Sequence, residues 1–318
     1  VPNQVKYGRG LALAVVSAAT FCTSGSFGSV LIDQGWSAAA AVTARLVVAA
    51  LVLTAPALWQ LRGKWHQMRA ALPMVTVYGL VAVAGCQVGF FNAVQHLSVG
   101  IALLLEYLGT FLVVGWLWLR HGQRPRRLTV LAGVVAVAGL TLILDVFGSV
   151  RLSPVGVCWG LAAAFGLAFY FTVSSRVDEA LPPLAMAWGG MSIGAAALLV
   201  LGAVGALPMA ANRNDVILFH SRVDWIVPVL GLSLVAAVVA YVAGIAAARE
   251  LGAKVSSFVG LTEVLFAVLV AWLVLGQAPT TLQAAGGALI LAGVVLVRID
   301  ELREPVPAGE LPETIPVG

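Results

Sequence analysis

Charge is scarce in this chain. Its 318 residues include only 18 Lys or Arg and 14 Asp or Glu, 10% in all, where an ordinary soluble domain carries roughly 25%. Uncharged stretches recur along its length, each near the ~20 residues a helix needs to cross a bilayer, and apolar residues make up 61% of the whole. That excludes a soluble domain held by a single anchor. Cysteine is almost absent too. Cys22, Cys86 and Cys158 form no C-x-x-C pair and no Cys/His cluster at metal-ligand spacing, so neither a metal nor a disulfide is expected. Each falls in an apolar stretch, where a free Cys usually serves as a small packing residue. The four histidines, His66, His96, His121 and His220, lie in loops or at the ends of apolar stretches. No nucleophile–base pair can then form at membrane depth, and no enzyme activity is expected. Gly190-Met191-Ser192-Ile193-Gly194 matches the hydrolase G-x-S-x-G in letters only, because that motif works on a strand-to-helix turn with His and Asp partners. There is no nucleotide-binding motif and no cofactor is expected. The net charge of +4 sits in short loops, which does not indicate nucleic acid.

The apolar stretches divide into ten expected spans: 10–32, 37–58, 71–92, 99–119, 128–147, 154–174, 184–204, 226–247, 255–275 and 281–298. The first is too long for the ~7–15-residue apolar core of a cleaved signal peptide and reads as a retained span. In a ten-span arrangement nearly all Lys and Arg fall on one side. Only Arg151, Arg213 and Arg222 fall on the other, and Arg45 lies inside the second span. Cytoplasmic loops carry the Lys/Arg excess, so both termini are expected in the cytoplasm and the 205–225 loop outside, as for a multi-pass protein of the cell inner membrane. Residues 299–318, rich in Pro and Glu, read as a disordered cytoplasmic tail.

The chain also pairs with itself. Residues 71–142 align without a gap onto 225–296, at a constant shift of 154. Identities include Leu80/Leu234, Ala82/Ala236, Leu97/Leu251, Trp118/Trp272, Gly122/Gly276, Pro125/Pro279, Gly133/Gly287 and Gly139/Gly293. The expected architecture is an all-α polytopic membrane protein of ten transmembrane helices, arranged as two five-helix repeats, 8–147 and 154–298. Five is odd, so the second copy runs through the membrane inverted. An inverted repeat offers two near-equivalent packings, one open to each side, with a binding site between the copies.

Three formal charges sit well inside the expected spans: Arg45, Glu106 and Glu263. Each lies about a dozen ångströms deep at ~1.5 Å per residue. A central charge costs about 2.5–3.5 kcal/mol on insertion scales, so each must be paired or face a wet cavity. Glu106 aligns with Gly260, and Glu263 with Gly109. The offset is three residues, which puts both carboxylates on one helical face. They are expected to line a route, where they can bind a substrate amine or cycle a proton, and Arg45 is expected to pair with one of them, most simply Glu106. The first span carries Ser17, Thr20 and Ser24 at helical spacing; at a shift of 146 their partners are Ala163, Gly166 and Tyr170. Ser24, Thr20 and Tyr170 are therefore candidate cavity residues, as are Gln87 and its repeat partner Tyr241. The alternative for the hydroxyls is bonding back to their own helix.

Each copy ends in a helix, a Gly-x-x-Pro turn and a Gly-rich helix. In the second copy Thr262-Glu263 opens an apolar run through Trp272 to Gly276-Gln277-Ala278-Pro279, followed by Gly286, Gly287 and Gly293. This pattern resembles the EamA domain of the drug/metabolite transporter superfamily. Arg45, in Thr43-Ala44-Arg45-Leu46, matches the arginine common early in that family's second helix. Gln123 and Gln277 depart from the family's usual acidic residue after the turn glycine, and Val264 from the proline that often follows the ninth-helix Glu. The resemblance covers nearly the whole chain. It implies a secondary transporter, an exporter of small metabolites such as amino acids. The alternatives are efflux of drugs or cationic compounds, and a membrane protein without transport activity. The implied partners are a small-molecule substrate and the lipid bilayer, with protons and a second copy of the chain as further candidates.

Overall fold

The computed structural model describes residues 2–97, 99–122, 124–143, 153–175, 181–218, 221–275 and 280–302. Eight helices among them are long and apolar enough to cross a membrane, and Arg127–Ile143 is a shorter apolar one. Thr262–Leu275 completes ten spans, because the helix that runs on from the eighth span breaks at Gly252, where φ is +78°. Only glycine adopts that backbone at no steric cost. The first span is Pro2–Phe21 followed by Thr23–Asp33, the second Ala38–Gln60 and the third Trp65–His96 in three segments. The fourth is Val99–Tyr107 followed by Gly109–His121, the sixth Pro154–Ser174, the seventh Pro183–Ala203 and the tenth Thr281–Leu302. The third span starts earlier than its apolar run, because Trp65 to Arg69, ahead of that run, are already helical. The tenth runs past 298, so 299–302 are helical; the rest of the expected tail, like 144–147 of the fifth span, lies outside the described residues.

The helices pair as an inverted repeat requires. The second packs on the seventh and the fifth on the tenth, each on its own repeat equivalent. The first packs on the eighth, and the sixth on the third, the same contact with the copies exchanged. Glycines set the closest approach. A Cβ on Gly139 would lie 2.6 Å from the Gly286 carbonyl oxygen, and one on the equivalent Gly293 would lie 3.0 Å from that of Ala132. With no hydrophobic drive between helices in lipid, such close backbone contact is what associates them. Gly139→Val is therefore expected to destabilise the protein by about 1–3 kcal/mol through overpacking. Gly115→Ala, whose Cβ meets nothing within 4 Å, is expected to be neutral or slightly stabilising, since Ala favours helix by up to about 1 kcal/mol. Thermal unfolding of both variants in detergent measures the difference.

The 205–225 segment is more ordered than a plain loop. Val216–Leu218 and Ser221–Val223 form an antiparallel pair. The stretch before them is strapped to the start of the second span: Ser37 N donates to the Ala210 carbonyl at 2.9 Å, and Trp36 Nε1 to that of Asn212 at 2.7 Å.

Candidate functional site

Two π-helical segments occupy equivalent places in the repeats, Gly79–Gly85 in the third span and Gly231–Val239 in the eighth. A wider turn shifts the hydrogen-bond ladder and leaves a carbonyl free for another partner, which is why π segments recur at functional sites. Here the partner is Arg45. Its side chain is fully buried. Nη1 donates to Ser24 Oγ at 3.0 Å and to Gln87 Oε1 at 2.6 Å, and Nη2 donates to the Ala236 carbonyl inside the second π segment. One arginine on the second span thus ties together the first, third and eighth. The expected Arg45–Glu106 ion pair does not form. Neutral dipoles engage both terminal nitrogens of the guanidinium while Nε is buried without a hydrogen-bond partner, and the carboxylates keep their own surroundings.

Those surroundings are a cavity of about 330 Å³ between the repeats, within the ~300–1,000 Å³ typical of small-molecule sites. Glu106 and Glu263 both line it, together with Ser24, Gln87, Tyr170 and Tyr241. Each glutamate stands beside a one-residue interruption of its span, at Leu108 and at Leu261. Glu106 lies one residue before the end of Val99–Tyr107, where its Oε1 accepts from Cys86 Sγ at 3.4 Å. Glu263 lies in the first turn of Thr262–Leu275 and faces the Tyr107 hydroxyl across the cavity wall. The Tyr170 hydroxyl is buried without a hydrogen-bond partner. Gly244 makes room for it, since a Cβ there would collide with that oxygen and lie 2.8 Å from Ser17 Oγ. The rings of Tyr170 and Tyr241 meet edge to face at 5.4 Å between centroids, and Phe21 packs on Tyr241 at 5.1 Å.

Six of the eight sequence candidates therefore meet at one cavity, and two do not. Arg45 stands behind the wall and reaches it only through Ser24 and Gln87. Thr20 bonds back to its own helix, donating to the Val16 and Ser17 carbonyls at 2.8 and 3.0 Å, and is not part of the lining. Several lining residues escaped sequence reasoning, among them Tyr107, Cys22 and Cys86. Tyr107 is next to Glu106 and points about 100° away from it on the helix, so it read as facing elsewhere; the cavity is wide enough to take both side chains on its wall. Cys86 read as an apolar packing residue, yet it follows the first π segment and contacts Glu106.

The two ends of the cavity differ. At the end carrying the basic loops, Arg9 pairs with Glu250 at 3.3 Å and Lys254 with Asp300 at 3.7 Å. Thr129 Oγ1 donates to Asp300 at 2.5 Å, and the Arg298 guanidinium lies 3.4 Å from the centre of the Tyr7 ring. At the other end Ser26 is exposed and Ser29 half-buried, both on the cavity lining.

Comparison with known proteins agrees with this architecture. The family described as "EamA-like transporter family" matches twice, over residues 8–145 and 154–299. The chain belongs to the EamA-like transporter family. Among EamA-like and related transporters, it is 28% identical over 71% of its length to the uncharacterized inner membrane transporter YicL of Salmonella typhimurium, of which 73% is covered. It is 26% identical over 70% of its length to an uncharacterized transporter of Archaeoglobus fulgidus, 74% of which is covered. A protein of known crystal structure superposes with a TM-score of 0.72 at 17% identity, covering 93% of this chain and 99% of that one; that likeness concerns the fold alone. This EamA-like chain is a multi-pass membrane transporter, and it acts on a small molecule within a lipid bilayer.

Proposed function

We propose that the protein exports small metabolites across the inner membrane by alternating access, with its termini in the cytoplasm and the cavity as the substrate site. The observation that carries this reading is the cavity between two inverted repeats, with one glutamate from the fourth span of each copy on its wall. The pinned basic end and the serine-lined opposite end correspond to an outward-facing state, and exchange of the two repeat packings gives the inward-facing one. A carboxyl group that faces each side in turn can take up a proton on one and release it on the other, so Glu263 and Glu106 are the candidates for proton coupling. Untargeted comparison of medium from cells overexpressing the protein and cells lacking it tests export. The expected result is one or a few small compounds enriched by overexpression; identical media would sink the proposal.

Orientation has its own check. Arg213 and Lys64 are both exposed, in loops on opposite sides of the ten-span arrangement. In a background without native cysteines, Arg213→Cys is expected to react with an impermeant thiol reagent in intact cells and Lys64→Cys to stay unlabelled. The reverse pattern would invert the topology.

A further inference from the structure

We infer that the cavity selects an organic cation, a protonated amine on an aromatic or apolar body, and discriminates against a free carboxylate on the same body. This rests on the cavity being the transport site, and it narrows the cargo from small metabolites in general, amino acids included, to one charge class.

Three features of the wall support it. First, its only formally charged side chains are Glu106 and Glu263, and no Lys, Arg or His lines it among the described residues. The one cation at this depth, Arg45, is fully buried behind the wall, with both terminal nitrogens engaged by Ser24, Gln87 and the Ala236 carbonyl. A carboxylate entering the cavity would meet two acidic groups and no counter-charge. An amine would meet two acceptors with which it can form charge-assisted hydrogen bonds. Second, the wall is aromatic. Phe21, Tyr107, Tyr170, Phe171 and Tyr241 line it, and Tyr170 also meets Phe171 edge to face at 5.0 Å. Ring faces attract a desolvated cation and contribute nothing comparable to an anion. Third, the Tyr170 hydroxyl, buried without a partner against Gly244, adds a polar group to the wall without adding charge.

The test holds the body constant and changes only the charge. Binding of phenethylamine, phenylalanine and 3-phenylpropionate is measured by equilibrium dialysis on the purified full chain in lipid nanodiscs, beside the Glu106→Gln/Glu263→Gln double variant. The amine is expected to bind at least about tenfold more tightly than the zwitterion, and the anion most weakly, because cation–ring and charge-assisted contacts favour the amine alone. In the double variant the order is expected to level or reverse, and a thermal melt of that variant checks that it is folded. Equal or tighter binding of the zwitterion or the anion overturns the inference. So does absence of binding by all three to the native chain, or an unchanged order in a folded double variant. The medium comparison above reports separately on transport: export of a zwitterion or an anion would sink this inference and leave the transport reading standing, whereas no export at all would sink that reading.

Discussion

Glu263→Gln is expected to leave the protein folded and to reduce uphill transport to the level of empty vesicles. The amide is nearly isosteric with the carboxyl and can still meet the Tyr107 hydroxyl that faces it, so the first turn of Thr262–Leu275 has no reason to unwind. What the amide cannot do is carry a proton between the two faces of the cavity. Exchange of substrate at equal concentrations is expected to survive in part, because exchange needs no net proton movement. The assay is proteoliposomes with an imposed pH gradient, loaded with the compound found in the medium comparison. A Gln variant that still concentrates that compound when the gradient is applied would remove Glu263 from the coupling step and leave it a wall residue. Glu106→Gln separates the two carboxylates. Its repeat position is offset by one turn and its nearest polar neighbour is Cys86, so equal losses in both variants would mean that the pair works as a unit.

Arg45→Ala is expected to have the largest effect on folding. The side chain joins four spans through three acceptors, and two of those, Ser24 and Gln87, also form part of the cavity wall. Hydrogen bonds to a charged group contribute about 1.5–3 kcal/mol each, and truncation would leave the Ala236 carbonyl exposed by its π segment with no donor. The expected result is a severalfold lower yield of monodisperse protein and a lower melting temperature. Arg45→Lys is expected to recover only part of the loss, because one ammonium cannot reach the same acceptors in the geometry of a planar fork. Adding Glu106→Leu to Arg45→Ala is expected to bring no rescue. Rescue would mean that the two charges do pair in the membrane and that the bonding to Ser24, Gln87 and Ala236 is secondary.

Much of this was legible in the letters, for physical reasons. A bilayer demands about 20 apolar residues per crossing, so spans such as 37–58 and 154–174 stand out from composition. A cavity built between two copies brings equivalent positions together, so the alignment of Glu106 with Gly260 and Glu263 with Gly109 already placed both carboxylates on one face. Local winding was not legible. Apolar patterning gives helix but not its pitch, and nothing in Gly79–Gly85 or Gly231–Val239 marks them as π-helical rather than α-helical. The partners of Arg45 followed from that. One of them is a backbone carbonyl, which no reading of side chains can nominate, and a carboxylate seemed the natural match for a guanidinium at membrane depth. Tyr107 was missed because adjacent helical residues point about 100° apart, and apolar patterning does not show that the cavity wraps far enough to reach both. Thr20 failed for a different reason. Helical spacing with Ser17 and Ser24 gives direction, but a threonine can satisfy itself on its own helix, and this one does.

The most direct test of alternating access at this cavity uses the native Cys22. It lies at the turn between the two halves of the first span and on the cavity lining. With Cys86 and Cys158 replaced by Ala and Ser, it is the chain's sole cysteine. A small cationic thiol reagent that cannot cross lipid is applied to one face of sealed proteoliposomes at a time. If the cavity opens to each side in turn, Cys22 reacts from either face while the vesicles stay tight to ions. Reaction from one face only, across a range of pH and with substrate present or absent, would contradict it.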